Sequence, residues 1–317
     1  MINLPNGVDI NNLIEDLKIY SWQAADILLD YSEKINDSNV KNEVLKSVDL
    51  NNPVTEADLK VNEIIIKNIK KNYSDIYWDI LSEENVKLNS ESSEFDSDWL
   101  WILDPLDGTK DFIQGTGNYA MHLALNYKGK PFIGIVLIPS KNELWIAVGE
   151  KVWCERRKDK SFEKYLLKSN KSLKDMVLVT SKNHKNDNLN RLIEKINFKK
   201  VINMGSIGCK IASIIRGESD IYISLSLPGK SSPKDWDFAA PEAILKAAGG
   251  AITKIDNQDL FYGKPNFGQG GIIVASNDNL RHESICFQLR ELIKNEIIYS
   301  TIPAKLMDKN TKFLLPR

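Results

Sequence analysis

The chain has 317 residues, 42% of them hydrophobic and 27% charged, which is the size and composition of a soluble globular protein able to bury a sizeable core in one large domain or two medium ones. Forty-two basic residues against 43 acidic ones leave a net charge of −1, which excludes a whole-molecule field that would recruit a nucleic acid polymer or a membrane surface. Three widely spaced cysteines (Cys154, Cys209, Cys286), no signal-like N-terminus and no run of about 18 apolar residues exclude a disulfide framework, a zinc site and a membrane span, so the expectation is a reduced, soluble, cytoplasmic protein.

Leu13, Leu17, Tyr20, Ala24, Ile27, Leu28, Tyr31 and Ile35 recur at helical spacing and predict a long amphipathic opening helix. A second helix is marked by Val61, Ile64, Ile65 and Ile69, with Thr55 and Asp58 at the spacing of a capping box. Residues 77–81 read as a strand running into Ser82-Glu83-Glu84, and the polar stretch 87–98 as a solvated loop. Three further strands over 120–127, 131–138 and 143–148 are joined by turns too short for anything but antiparallel pairing. The charged run 155–160 then reads as a boundary loop.

The second half alternates. Strands are expected over 176–180, 201–204, 221–225, 252–255 and 271–275, and helices over 189–196, 207–215, 235–245 and 280–293. Pro241 is tolerable in such a helix only in its first turn. The pattern predicts an α+β chain, a layered α-β-α-β-α sandwich with an antiparallel sheet in the first half and a mixed sheet in the second. Its expected division is 1–155, carrying most of the acidic motifs; 156–290, completing the site; and 291–317, a C-terminal extension.

The stretch that organises the chain is Trp99-Leu100-Trp101-Ile102-Leu103-Asp104-Pro105-Leu106-Asp107-Gly108-Thr109-Lys110-Asp111-Phe112. Five large apolar residues read as a buried strand ending on an acid. Asp104 and Asp107 then bracket a sharp turn, aim two carboxylates into one small space and suit a hard cation, while Gly108 lets backbone approach a ligand closely. Thr109 can cap the following helix, whose free N–H groups favour a phosphate. Glu83, Asp104, Asp107, Asp237 and Asp58 all fall at element ends, where a sandwich can converge them. Acids in such places are also ordinary turn and cap formers, and Asp58 suits either role.

Asp-Pro-Leu-Asp-Gly-Thr-Lys-Asp-Phe resembles the signature of the inositol monophosphatase superfamily, magnesium-dependent and lithium-sensitive phosphomonoesterases. With Ser82-Glu83-Glu84 and Gly205-Ser206-Ile207-Gly208-Cys209-Lys210, the chain is most similar to the CysQ-type 3'(2'),5'-bisphosphate nucleotidases. The resemblance implies that Glu83, Asp104, Asp107, Asp237 and the backbone carbonyl of Leu106 hold two Mg2+ ions, with Asp104 bridging. It implies that Asp58 attends a third, weaker ion and the attacking water, which Thr109 helps to orient, making Asp58, Thr109 and Glu83 the catalytic set. Gly108 and Thr109 amides would cradle the phosphate, and Ser206, Lys210, Ser181 and His184 would line the substrate side. Lys210 carries its own physics: a flexible point charge one helical turn into a Gly-Ser-x-Gly segment suits a second phosphate, unless it is merely an exposed surface lysine.

The function expected is removal of the 3'-phosphate of adenosine 3',5'-bisphosphate, a reaction tied to sulfur metabolism, by a monomer or homodimer acting on a small-molecule phosphate ester. The alternatives are an inositol monophosphatase or a fructose-1,6-bisphosphatase of the same superfamily, and, less favoured, a catalytically silent phosphate-binding protein. Lys210 weighs against inositol monophosphate, which has no second phosphate to neutralise.

Overall fold

Helix α1 (Ile10–Asn36) places Leu13, Leu17, Ala24 and Leu28 on one stripe, and α2 (Glu56–Asn72) does the same with Ala57, Val61, Ile65 and Ile69; all eight are buried. The computed structural model describes residues 4–36, 56–89, 95–157, 163–164, 167, 170–181, 187–226 and 231–294. The expected cap residue Thr55, His184 and the chain beyond 294 lie outside these.

The first sheet runs β1 (Asp79–Ser82), β2 (Trp99–Asp107), β3 (Ala120–Tyr127), β4 (Lys130–Ile138), β5 (Glu143–Val148), β6 (Lys151–Glu155) and β7 (Glu163–Lys164), in that spatial order. It is antiparallel except at its edge, where β1 pairs parallel to β2. The exception has a local cause. Residues 83–89 form helix α3 (Glu83–Asn89) rather than opening a loop, and the longer return through α3 brings the chain back in the same direction. Strands β6 and β7 flank the charged run 155–160 read as a boundary loop, and pair with each other across it.

Alternation along β2 divides the core. Trp99, Trp101 and Leu103 pack with α1 and α2, whereas Leu100 and Ile102 face the opposite side. That opposite side is covered by α6 (Ile207–Ile215) and α7 (Asp235–Ala247), which also pack on the second sheet. The second sheet holds β11 (Ala251–Lys254), β12 (Gly271–Ser276), β10 (Ile221–Ser226), β8 (Val177–Ser181) and β9 (Lys200–Met204), with antiparallel pairs at β11–β12–β10 and parallel pairs at β10–β8–β9. Its far face carries α5 (Asp187–Ile196) and α8 (Asn279–Lys294). The result is the expected α-β-α-β-α stack. The remaining helix, α4 (Thr109–Gln114), packs Phe112 into the α1/α2 cluster.

Two packing features position the site. Gly134 on β4 lets α7 lie directly on the sheet, because a Cβ there would come within 2.4 Å of Ala243 Cβ. Pro241 sits inside α7, not in its first turn as expected. Its ring removes one helical N–H, but residues Phe238 to Leu245 are all buried between the sheets, so tertiary packing outweighs the local penalty.

Candidate active site

Strand β2 does not end at Asp104 as the sequence suggested; it continues to Asp107 through a bulge. Asp104 pairs with His122 and Asp107 with Ala120, so three steps on β2 match two on β3. Pro105, which has no N–H to give the ladder, falls inside the irregularity. The consequence is geometric. Strict alternation would put residues 104 and 107 on opposite faces, and the one extra residue returns Asp107 to the side of Asp104 while Leu106 packs with α1 and α2.

Each other acid arrives by an equally specific route. Ser82 is in register with Leu103, so Glu83, the next residue of the parallel strand, falls beside Asp104. Asn62 on α2 accepts from the Ser82 hydroxyl and donates to Asn85 Oδ1 at 3.1 Å, fixing α2 against β1 and α3. Asp58 lies one turn earlier on the same face, buried at 1% exposure. Asp237 occupies the first turn of α7, where its Oδ2 accepts the Lys234 N–H at 2.6 Å.

Asp104, Asp107 and Asp237 each present an oxygen within 4.8 Å of the other two. Burial and the charges of Glu83, Asp107, Asp237 and Asp58 push the Asp104 carboxyl well above the usual carboxylate range. Burial, Asp107 and Glu83 do the same to Asp237, and Glu83 is itself raised, chiefly by burial. A cluster of acids that repel one another in a buried space lowers its energy by binding a hard cation through oxygen, and this donor set fits one. Leu106 N–H donates to Asp104 Oδ1 at 3.1 Å, holding that carboxylate in place.

Asp107 is held from behind by groups the sequence reading did not connect to it. Its Oδ2 accepts from the Ser206 hydroxyl at 2.8 Å, from the Ile207 N–H, and from the Gly208 N–H at 3.4 Å, so it sits at the N-terminus of α6. Ser206 is 0% exposed and also accepts from Cys209 N at 3.2 Å. Its hydroxyl therefore supports Asp107, a correction to the expectation that it meets substrate. His122, 1% exposed on β3, brings Nδ1 to 3.3 Å from the Trp236 carbonyl and Nε2 to 3.4 Å from Asp107 Oδ2; burial lowers its pKa and favours the neutral ring, whose Nε2 makes no hydrogen bond among the described residues. A histidine in the apolar run of β3 was the available signal for this contact.

Thr109 does not cap α4. The cap position is Gly108, in the left-handed region at φ 88, where a Cβ would press to 2.8 Å from Asn118 O; Thr109 is the first helical residue and donates its hydroxyl to Leu106 O at 3.1 Å. That bond fixes the carbonyl expected to serve as a ligand.

Beside the acids opens a cavity of about 240 Å3 whose wall includes Asp107, Asp237, Lys210, Tyr222 and the hydroxyl residues Thr180 and Ser181. Lys210 is no surface lysine: it is 0% exposed, donates to Gly205 O at 2.7 Å and lies over the Tyr222 ring at 5.3 Å. Burial lowers its pKa, while the nearby carboxylates, Asp107 first, favour its charge. Ser181 is on the cavity wall.

The inositol monophosphatase family model matches residues 12–294. The chain belongs to that family. A relative from Buchnera aphidicola, named 3'(2'),5'-bisphosphate nucleotidase CysQ, is 31% identical over 214 residues, covering 67% of this chain and 75% of that protein. Nus factor SuhB of Pasteurella multocida is also 31% identical over 214 residues, covering 64% of this chain and 72% of that protein. Among solved structures, an inositol monophosphatase of Thermotoga maritima superposes with a TM-score of 0.67 at 24% identity, over 90% of this chain and 99% of that one. The family makes the chain a member of a phosphatase superfamily that is typically metal-dependent, and the acid trio supplies a place for metal. Among the described residues no helix is long and apolar enough to cross a membrane.

Proposed function

We propose that this protein is a magnesium-dependent phosphomonoesterase that removes the 3'-phosphate from adenosine 3',5'-bisphosphate, leaving AMP. The observation that carries the reading is Lys210, a fully buried amine on the wall of a cavity that also exposes Asp107 and Asp237. A lone amine loses solvation there, and a second phosphate on the substrate would give its remaining donors partners. Several relatives of the chain carry the bisphosphate nucleotidase name, which agrees with this choice.

Two Mg2+ ions at Glu83, Asp104, Asp107, Asp237 and the Leu106 carbonyl, with a third near Asp58, would supply positive charge against the phosphate and a more acidic water. The chain's own residues do the rest. Asp104 is oriented by Leu106 N–H, and Asp107 by Ser206 and the start of α6. Thr109 fixes the Leu106 carbonyl and offers its oxygen to a neighbouring water. The Gly108 and Thr109 amides would cradle the reacting phosphate, and Lys210 would take the non-reacting one.

Lys210→Met keeps the side-chain length and removes the charge. Losing one charge-assisted hydrogen bond costs about 1.5–3 kcal/mol, so kcat/KM for adenosine 3',5'-bisphosphate should fall roughly tenfold to a hundredfold, mostly through KM. Turnover of a substrate with one phosphate should change far less. An equal loss on both substrates would contradict the assignment of Lys210.

A further inference from the structure

Glu83 has a neighbour that the resemblance does not account for. Because α3 begins at Glu83, Lys87 returns to it one turn later, and its Nζ lies 2.9 Å from Glu83 Oε1 and 2.7 Å from Glu84 Oε1. Glu84 is 1% exposed and faces Lys87 rather than the acid trio. Lys87 is itself only 26% exposed, so the pair is partly shielded from solvent and less screened than a surface ion pair.

We propose that Lys87 is an internal counter-cation of the metal site, competing with a divalent ion for Glu83 and thereby setting how tightly the site holds metal. The inference rests on reading the acid cluster as a divalent-cation site. The physics is short-range. A hard cation sits about 2.0–2.6 Å from its carboxylate oxygens, so an ion on Glu83 and an ammonium on the same carboxylate repel across only a few ångströms. Glu84 matters because it keeps Lys87 at that post: a lysine free to swing into water would relieve the repulsion, whereas one anchored to a buried carboxylate does so only by breaking the anchor. Lys87 thus lowers the negative charge of a cluster whose acids repel one another, at the expense of metal affinity.

The test is calorimetric titration of the full chain with Mg2+ and with Mn2+, without substrate, for the parent, Lys87→Met and Lys87→Arg. Lys87→Met should bind both ions about tenfold more tightly, and Lys87→Arg, which keeps the charge, should stay within about threefold of the parent. A gain of affinity cannot arise from a damaged fold. Unchanged or weaker binding by Lys87→Met, or equal tightening by Lys87→Arg, would overturn the role given to Lys87 while leaving the metal site intact. Absence of binding by both parent and Lys87→Met would overturn the metal reading and this inference with it.

Discussion

Replacing Asp104 by Asn separates electrostatic strain from catalysis. In the parent, one oxygen from each of Asp104, Asp107 and Asp237 lies within 4.8 Å of the others, and Asp104 is 1% exposed. At an effective dielectric of about 20, a like-charge pair at that spacing repels by about 3.5 kcal/mol. Partial protonation relieves much of it, so Asp104→Asn should stabilise the chelated protein by about 1–3 kcal/mol, or roughly 2–5 °C in Tm. Asn keeps an oxygen for the Leu106 N–H, so the local turn survives. The pH dependence has a definite sign. A carboxyl whose folded pKa is raised gives stability that is lost as pH rises, so the advantage of the variant should widen as pH rises above about 4. Added Mg2+ should raise the Tm of the parent strongly and that of the variant little, and activity should be largely lost. Calorimetry in chelator and in Mg2+ reads all of this. A variant less stable than the parent in chelator, or one stabilised equally by Mg2+, would refute the reasoning.

Other sites give independent expectations. Ser206→Ala removes a 2.8 Å hydrogen bond to Asp107 together with the α6 N-cap, and should weaken Mg2+ binding about threefold to thirtyfold by titration calorimetry and lower stability by about 0.5–2 kcal/mol in urea unfolding. Gly134→Ala forces a Cβ to within 2.4 Å of Ala243 Cβ, so it should destabilise the protein by about 1–3 kcal/mol in urea unfolding and lower kcat by shifting α7 and Asp237. His282 bonds Ser276 Oγ and Thr253 Oγ1, and burial, followed by the charge of Lys246, lowers its pKa to about 4. Its stabilising contribution is complete above about pH 6.5 and lost as pH falls toward 4, so the stability difference between parent and His282→Gln should shrink by about 2–3 kcal/mol over that range.

The long apolar periodicities of α1 and α2 and the unbroken apolar run of β2 were legible because burial repeats at the spacing of the element itself. Glu83, Asp107 and Asp237 were legible as acids at element ends, and they meet there with Asp104, which lies inside β2 just before its bulge. What escaped was register. The bulge that returns Asp107 to the face of Asp104 depends on how β2 pairs with β3, and the proximity of Glu83 to Asp104 depends on a parallel pairing made possible by α3. Neither is local. Ser206 became a support of Asp107 only once the start of α6 was seen beside the end of β2. Pro241 misled for a related reason: helix propensity is a local quantity, and α7 is held by two sheets.

The central claim is that these acids and Lys210 make one site for an adenosine bisphosphate. It is tested most directly by phosphate release with Mg2+, and again with chelator, from adenosine 3',5'-bisphosphate, AMP, inositol 1-phosphate and fructose 1,6-bisphosphate. The account predicts Mg2+-dependent release with the highest kcat/KM on adenosine 3',5'-bisphosphate, by about tenfold or more over substrates with one phosphate. A higher kcat/KM on inositol 1-phosphate or fructose 1,6-bisphosphate, or release that persists undiminished in chelator, would contradict it.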